Sequence, residues 1–306
     1  NIDDLDEDEN NLQEFKNFLP IFGSFTKISN SFIVSGGIDI KNGESSNSII
    51  IINFIKNSSH LYYSFLNTNS KLNEKRHGHA SFFDKIDNKL FVIGGVIKNK
   101  NSSLTFLDSI EYIDISINES EVQLNDKWKK SELKLKKPRA NCTIIKNENL
   151  VYLIGGISVD SIIENSIEII DFKNNKSTLI DLKFEITLNL KSFIKDKVLN
   201  ILMNKNNQLI KVKLNLFDFN IIKEENHAIS KNEKGLFSIE PFLNQNLLIT
   251  GFRQFPLIDH NIKVNIRNFD SLQTIKEIIL NFEELNLIPG SQNIMFLYDV
   301  ITSYNY

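Results

Sequence analysis

Three groups of side chains in this sequence could do chemistry. His77 and His79 alternate along one segment, so both fall on the same face of a strand. A metal bound there would need at least one or two further ligands, and no spacing in the chain supplies them. His79 is therefore read as a structural histidine, and no metal is expected. Cys142 stands alone, which rules out an internal disulfide. It lies in an apolar run with no His or Asn pattern of a cysteine nucleophile, and reads as a small buried hydrophobe. The third group is basic: Lys127, Lys129, Lys130, Lys134, Lys136, Lys137 and Arg139, with Trp128 among them. Clustered cations can track phosphates by releasing counterions from nucleic acid. The same residues can equally form the exposed face of an outer strand, where lysine blocks edge pairing and the tryptophan turns to the core. Composition favours the second reading. No Walker loop, Gly-x-Gly-x-x-Gly before a helix, His-Glu-x-x-His or Gly-x-Ser-x-Gly is present, so no catalytic residue is assigned.

Composition sets the frame for these residues. The chain has 306 residues, 41% hydrophobic and 24% charged, with a formal net charge of −3. That balance gives no global drive toward nucleic acid or an anionic membrane. The single cysteine fits a reducing, cytoplasmic setting. No apolar run is long enough for a membrane-spanning helix, and no signal peptide is recognisable. The sequence begins at Asn1 rather than Met, and is expected to be a segment of a longer protein with a partner domain upstream.

The elements that must position these side chains are strands. Phe32-Ile33-Val34-Ser35 runs into Gly36-Gly37, Leu90-Phe91-Val92-Ile93 into Gly94-Gly95, and Val151-Tyr152-Leu153-Ile154 into Gly155-Gly156. Each run is almost wholly apolar, as a strand covered on both faces must be. The terminal glycines permit positive φ and close backbone approach. Gly36 to Gly94 is 58 residues and Gly94 to Gly155 is 61. Weaker echoes follow at Val198 to Leu202, Leu247 to Thr250 and Leu285 to Ile288. Around the glycine runs, Arg76 to Ser81 opens a strand, and Asp108 to Ile115 alternates polar and apolar. Lys127-Trp128 begins a fourth strand ending near Leu135, and the next repeat ends in a strand around Ser177 to Leu182. Six units of about 40–60 residues predict an all-β chain of four-stranded antiparallel blades closed around an axis.

The ordered residues Arg76, Gly78, His79, Gly94, Gly95, Tyr112, Trp128 and Arg139 resemble the Kelch repeat of β-propellers, with Gly36, Gly37, Gly155 and Gly156 repeating its glycine pair. The fold class expected is thus all-β, a Kelch-like β-propeller of six blades over residues 21–306. Residues 1–20 are expected to form an acidic arm and short helix from an upstream domain: Asp3, Asp4, Asp6, Glu7, Asp8 and Glu9 precede Leu12, Phe15, Phe18 and Leu19 at helical spacing.

More narrowly, Phe22-Gly23 before Gly36-Gly37, and Ile288-Pro289-Gly290-Ser291 before Phe296-Leu297-Tyr298, resemble the C-terminal Kelch domain of the tRNA wybutosine-synthesising methyltransferases. That resemblance implies a cytoplasmic, non-catalytic docking domain for tRNA. The S-adenosylmethionine would be bound in the upstream methyltransferase domain, and no cofactor in this chain. The alternative is a Kelch adaptor that binds a protein ligand on one rim. An oxidase-like catalytic propeller is disfavoured by the missing metal set. Loops at Asp39 to Ser48, Lys98 to Thr105 and Ser158 to Asn165 follow the glycine pairs and are expected on one face.

Overall fold

The computed structural model describes residues 20–281 except 21, 40, 57–60, 101–102, 119–120, 126, 189, 207, 229–232, 243–246, 255–260 and 269–272; beyond residue 228 it describes mainly strand pairing. The acidic arm, the helical spacing after it and the sixth run at Leu285 to Ile288 lie outside the described residues. Contacts divide the chain into two compact units, residues 1–181 and 182–306.

The first unit holds three antiparallel sheets. The first is β1 (Ser24–Ile28), β2 (Ser31–Ser35), β3 (Ser48–Lys56) and β4 (Leu61–Lys71), paired in chain order. The second contains β5 (Ala80–Asp84) and β6 (Lys89–Ile93). A small hairpin of β7 (Val96–Lys98) and β8 (Leu104–Phe106) follows, then β9 (Ile110–Asn118), β10 (Glu121–Leu124) and β11 (Lys129–Lys130). Its order is β5-β6-β9-β10, with β11 also on β9. The third is β12 (Thr143–Asn147), β13 (Leu150–Ile154), β14 (Ser166–Asp171) and β15 (Lys176–Asp181).

The second unit repeats the meander twice. One sheet is β16 (Leu190–Lys195), β17 (Val198–Lys205), β18 (Gln208–Asn215) and β19 (Ile221–Ala228). The other is β20 (Glu233–Phe242), β21 (Leu247–Gln254), β22 (Asn261–Asn268) and β23 (Thr274–Asn281). Among the described residues there are thus five meanders, four of four strands and one that β11 extends to five, and the only helical turn is at Val159–Ser161. The chain is all-β and propeller-like.

Every described apolar run is the second strand of its sheet: β2, β6, β13, β17 and β21. The reason is visible at β6. Leu90 and Val92 join a core with Ile33, Ile49 and Ile51 of the first sheet. Phe91 and Ile93, on the opposite face, join a core with Val151, Leu153 and Ile170 of the third. A strand buried on both faces takes mainly apolar side chains, and the few polar ones it buries are small, as Ser31 and Ser35 of β2 and Asn200 of β17 are. The first strands of the three sheets, β1, β5 and β12, are neighbours, β5 touching both of the others. Ser24 and Thr26 reach Ser81 at 2.6 and 2.5 Å, and Lys146 pairs with Asp84 across the second seam.

Two expectations need correction. The stretch Lys127 to Leu135 is not a continuous strand. Asn125 bonds Asp114, yet Lys129 already faces Tyr112, so the intervening chain bulges. The bulge turns Trp128 inward to 5% exposure, in the core between the first two sheets. The alternating segment forms a strand only from Ile110, and its polar Glu111 is fully buried.

Candidate functional site

The functional surface is assembled where sheets meet. Arg76 and Arg139 each precede the first strand of a sheet, and both are fully buried. The Arg76 guanidinium donates to the Gly94 carbonyl at 2.7 Å and to Glu111 at 2.5 Å. Glu111 also accepts the backbone N–H of Asn73 at 2.7 Å and of Glu74 at 3.1 Å. Arg139 repeats the design, donating to the Gly155 carbonyl at 3.1 Å and to Glu168 at 3.4 Å. Glu168 accepts Lys136 N–H at 2.5 Å and the Ser177 hydroxyl at 2.6 Å. The arginine carbonyls face the other way. Gly37 N–H of the first sheet donates to Arg76 and Gly95 N–H of the second donates to Arg139, both at 2.8 Å. Each arginine therefore ties its own sheet by its side chain and the preceding sheet by its backbone. Burying such pairs is tolerable because the remaining lone pairs are filled.

Two residues after each arginine the backbone turns left-handed, at Gly78 (φ 60°) and Asn141 (φ 54°); Phe22 (φ 58°) holds the same place before the first sheet. Gly78 N–H donates to Phe22 and Asn141 N–H to Gly78, at 2.9 and 2.6 Å. The segments around these turns bond to the loops that follow the glycine pairs, His77 pairing with Val96 and Ala140 with Ile157. Five of the exposed apolar side chains of the first unit lie in these segments: Phe22 before β1, Leu104 on β8, and Val159, Ile162 and Ile163 between β13 and β14, with Leu66, Ile86 and Ile117 elsewhere. The loops are built rather than loose. Ser45 Oγ lies 2.8 Å from His77 Nδ1 and accepts the Lys98 N–H at 2.7 Å. Lys75 pairs with Glu44, and Lys137 with Glu164 at 3.0 Å.

His77 and His79 are brought together with serines and with no metal set. No group of three or more His, Cys, Asp or Glu side chains among the described residues could hold an ion. Ser35 Oγ lies 2.8 Å from His79 Nε2. Burial, the Arg76 charge and His77 push the His79 imidazole well below its ordinary 6.5. Burial and Lys98 lower His77 less severely. Cys142 follows Arg139 as His79 follows Arg76, and packs on the core between the second and third sheets. Burial pushes its thiol up to about 11 from 9.0. Alkylation of Cys142 by iodoacetamide at pH 8 is expected to run about 100-fold slower than that of a free cysteine, since only the thiolate reacts.

The basic stretch is largely engaged. Lys129 pairs with Asp114 at 2.7 Å, Lys130 with Glu74 at 3.1 Å and Lys134 with Asp108 at 3.4 Å, while Arg139 is inside. The Asp114 carboxylate holds Lys129 above its ordinary 10.5. Lys127 and Lys136 are exposed and in no ion pair among the described residues. Trp128 would have to leave the core to stack on a base. Tyr112 lies between Lys89 and Lys129, against Phe91.

No protein-family model matches the chain, and no curated protein matches it. Solved structures do. That of YjhT aligns with 81% of this chain and 82% of its own at a TM-score of 0.55. The fold is propeller-like. At 11% identity the likeness extends to fold alone. Glu111 and Glu168 were not singled out as site residues from sequence, although Ser109-Ile110-Glu111 and Ser166-Ile167-Glu168 repeat the same triplet. No helix among the described residues is long and apolar enough to cross a membrane.

Proposed function

We propose that this chain is a non-catalytic binding module whose ligand is another protein, held on the loop end of its first unit. One observation carries the reading: Leu104, Val159 and Ile162, each more than half exposed, stand on hydrogen-bonded loops beside the left-handed turns. Apolar groups presented on a rigid frame lose little entropy on binding. The tRNA-docking reading rests on the sequence resemblance and on Lys127 and Lys136. Asp114, Glu74 and Asp108 beside Lys129, Lys130 and Lys134 weigh against it, because their charge cancels much of the positive patch that phosphates would track.

The test is capture of partners from extract in low and high salt. With Leu104→Asp and Ile162→Asp together, protein capture is expected to fall about tenfold or more, with unchanged melting temperature and little dependence on salt. Capture of tRNA that collapses as salt rises, unaffected by these changes but lost with Lys127→Glu and Lys136→Glu, would replace this reading by the docking one.

A further inference from the structure

We infer that the seam between the first and second sheets is an acid-sensitive latch, in which a closed seam requires His79 to be uncharged. This holds whatever the loop end binds. His79 sits on that seam and is 5% exposed. Glycine pairs from both sheets close on its ring. A Cβ on Gly36 would lie 2.8 Å from His79 Cε1, and one on Gly95 2.8 Å from His79 Cβ. Nε2 has Ser35 Oγ as partner, while Nδ1 is buried with none. In either neutral tautomer the ring makes that one bond. An imidazolium has two donors to satisfy, and here it would leave one of them buried and bare beside the Arg76 guanidinium.

The charged groups around it offer no relief. On its own segment stand Arg76 and His77, and Arg76 is already committed to Glu111 and Glu74. The strand Ser31–Ser35, which supplies Ser35, has no titratable side chain, and Gly94-Gly95 bring none. On β7 the nearest charge is Lys98, which acts on His77. Glu44, from the loop after β2, is paired with Lys75. His77 provides the contrast. Its partner Ser45 Oγ lies 3.5 Å from the Val96 carbonyl, so the hydroxyl can turn its proton there and accept from a charged imidazole.

The sign follows from proton uptake. The imidazole titrates near its ordinary 6.5 once the seam opens and well below that when it is closed. Above 6.5 the closed seam keeps its full stability. As pH falls below 6.5, opening takes up a proton, and the closed-to-open ratio drops about tenfold per pH unit until the closed-state value is reached. The Gly37 amide reports the seam through its bond to Arg76. The equivalent Gly95 amide bonds Arg139 at the next seam, where Cys142 replaces the histidine.

The experiment is amide exchange of both glycines by NMR between pH 7.0 and 5.0, corrected for the intrinsic pH dependence. Gly37 protection is expected to fall at least tenfold while Gly95 holds, and His79→Gln is expected to abolish the fall. Should His79→Gln not fold, imidazole carbon shifts in the unaltered protein decide. His79 should stay neutral while His77 titrates in the closed state. Equal loss at both glycines, an undiminished fall in His79→Gln, or a His79 that titrates with Gly37 protection unchanged would each overturn the inference.

Discussion

Arg76→Met is expected to destabilise the first unit by about 3–5 kcal/mol, the usual cost of stranding a buried charge. The carboxylate it would strand is Glu111, fully buried and oriented by two backbone N–H groups. The double change Arg76→Met with Glu111→Ile should recover part of that loss, less what the Asn73 and Glu74 N–H groups lose with their acceptor. The first sheet supplies the precedent. Its register places Ile50 opposite Val34, two residues before Gly36, where Glu111 faces Val92 two residues before Gly94. Pro20 stands at the arginine's place there, and Ile50 is buried. One sheet thus closes with an apolar residue where its neighbours use the ion pair, so replacing the pair as a whole should cost less than removing either half alone. Urea titration followed by fluorescence of Trp128, the single tryptophan, checks this because the indole lies in the core between the first two sheets. A single Arg76→Met variant as stable as the unaltered protein would remove the pin from the account.

Gly36→Ala is expected to be nearly as damaging, at about 2–5 kcal/mol from the left-handed backbone and the steric conflict together. Gly36 has φ +58°, and a Cβ there would come 2.4 Å from the Arg76 carbonyl oxygen. That atom already accepts the Gly37 N–H. Neither backbone can retreat without opening the seam. Gly43→Ala is the control: it shares positive φ (+70°) and has nothing within 4 Å of the added carbon, so it should cost only the backbone term of about 1–2 kcal/mol. Equal losses in the two variants would mean that conformation, and not close approach, explains the glycine pairs.

How far the fold could be read from sequence depended on what each residue had to satisfy. The second strands were legible even in the fourth and fifth sheets, where the glycine pair is gone. A strand covered on both faces is mostly apolar, as Val198 to Leu202 is with Asn200 its one polar residue, and Leu247 to Thr250 has a similar composition. The inward turn of Trp128 was legible for the same reason. Glu111 and Glu168 were not, because alternation assigns a polar residue to solvent, whereas here an arginine from 35 and 29 residues earlier in the chain meets it inside. The triplet Ser-Ile-Glu recurring after both Arg76 and Arg139, beyond the glycine pair of each sheet, was the available signal. The lysine stretch misled in detail. Its pattern suits a strand, yet only Lys129–Lys130 pairs, since the bulge before it spends its residues on burying the indole. The acids that neutralise its lysines come from distant strands and loops that spacing alone cannot bring together.

Peptide-resolved amide exchange across the chain at pH 7.5 tests the central claim most directly. Segments 31–35, 89–93, 150–154 and 198–205, the second strands, should exchange slowest within their sheets, and the outer strands 121–124 and 221–228 fastest. Second strands that exchange as fast as the outer ones would contradict the packing on which both the pinned seams and the loop end depend.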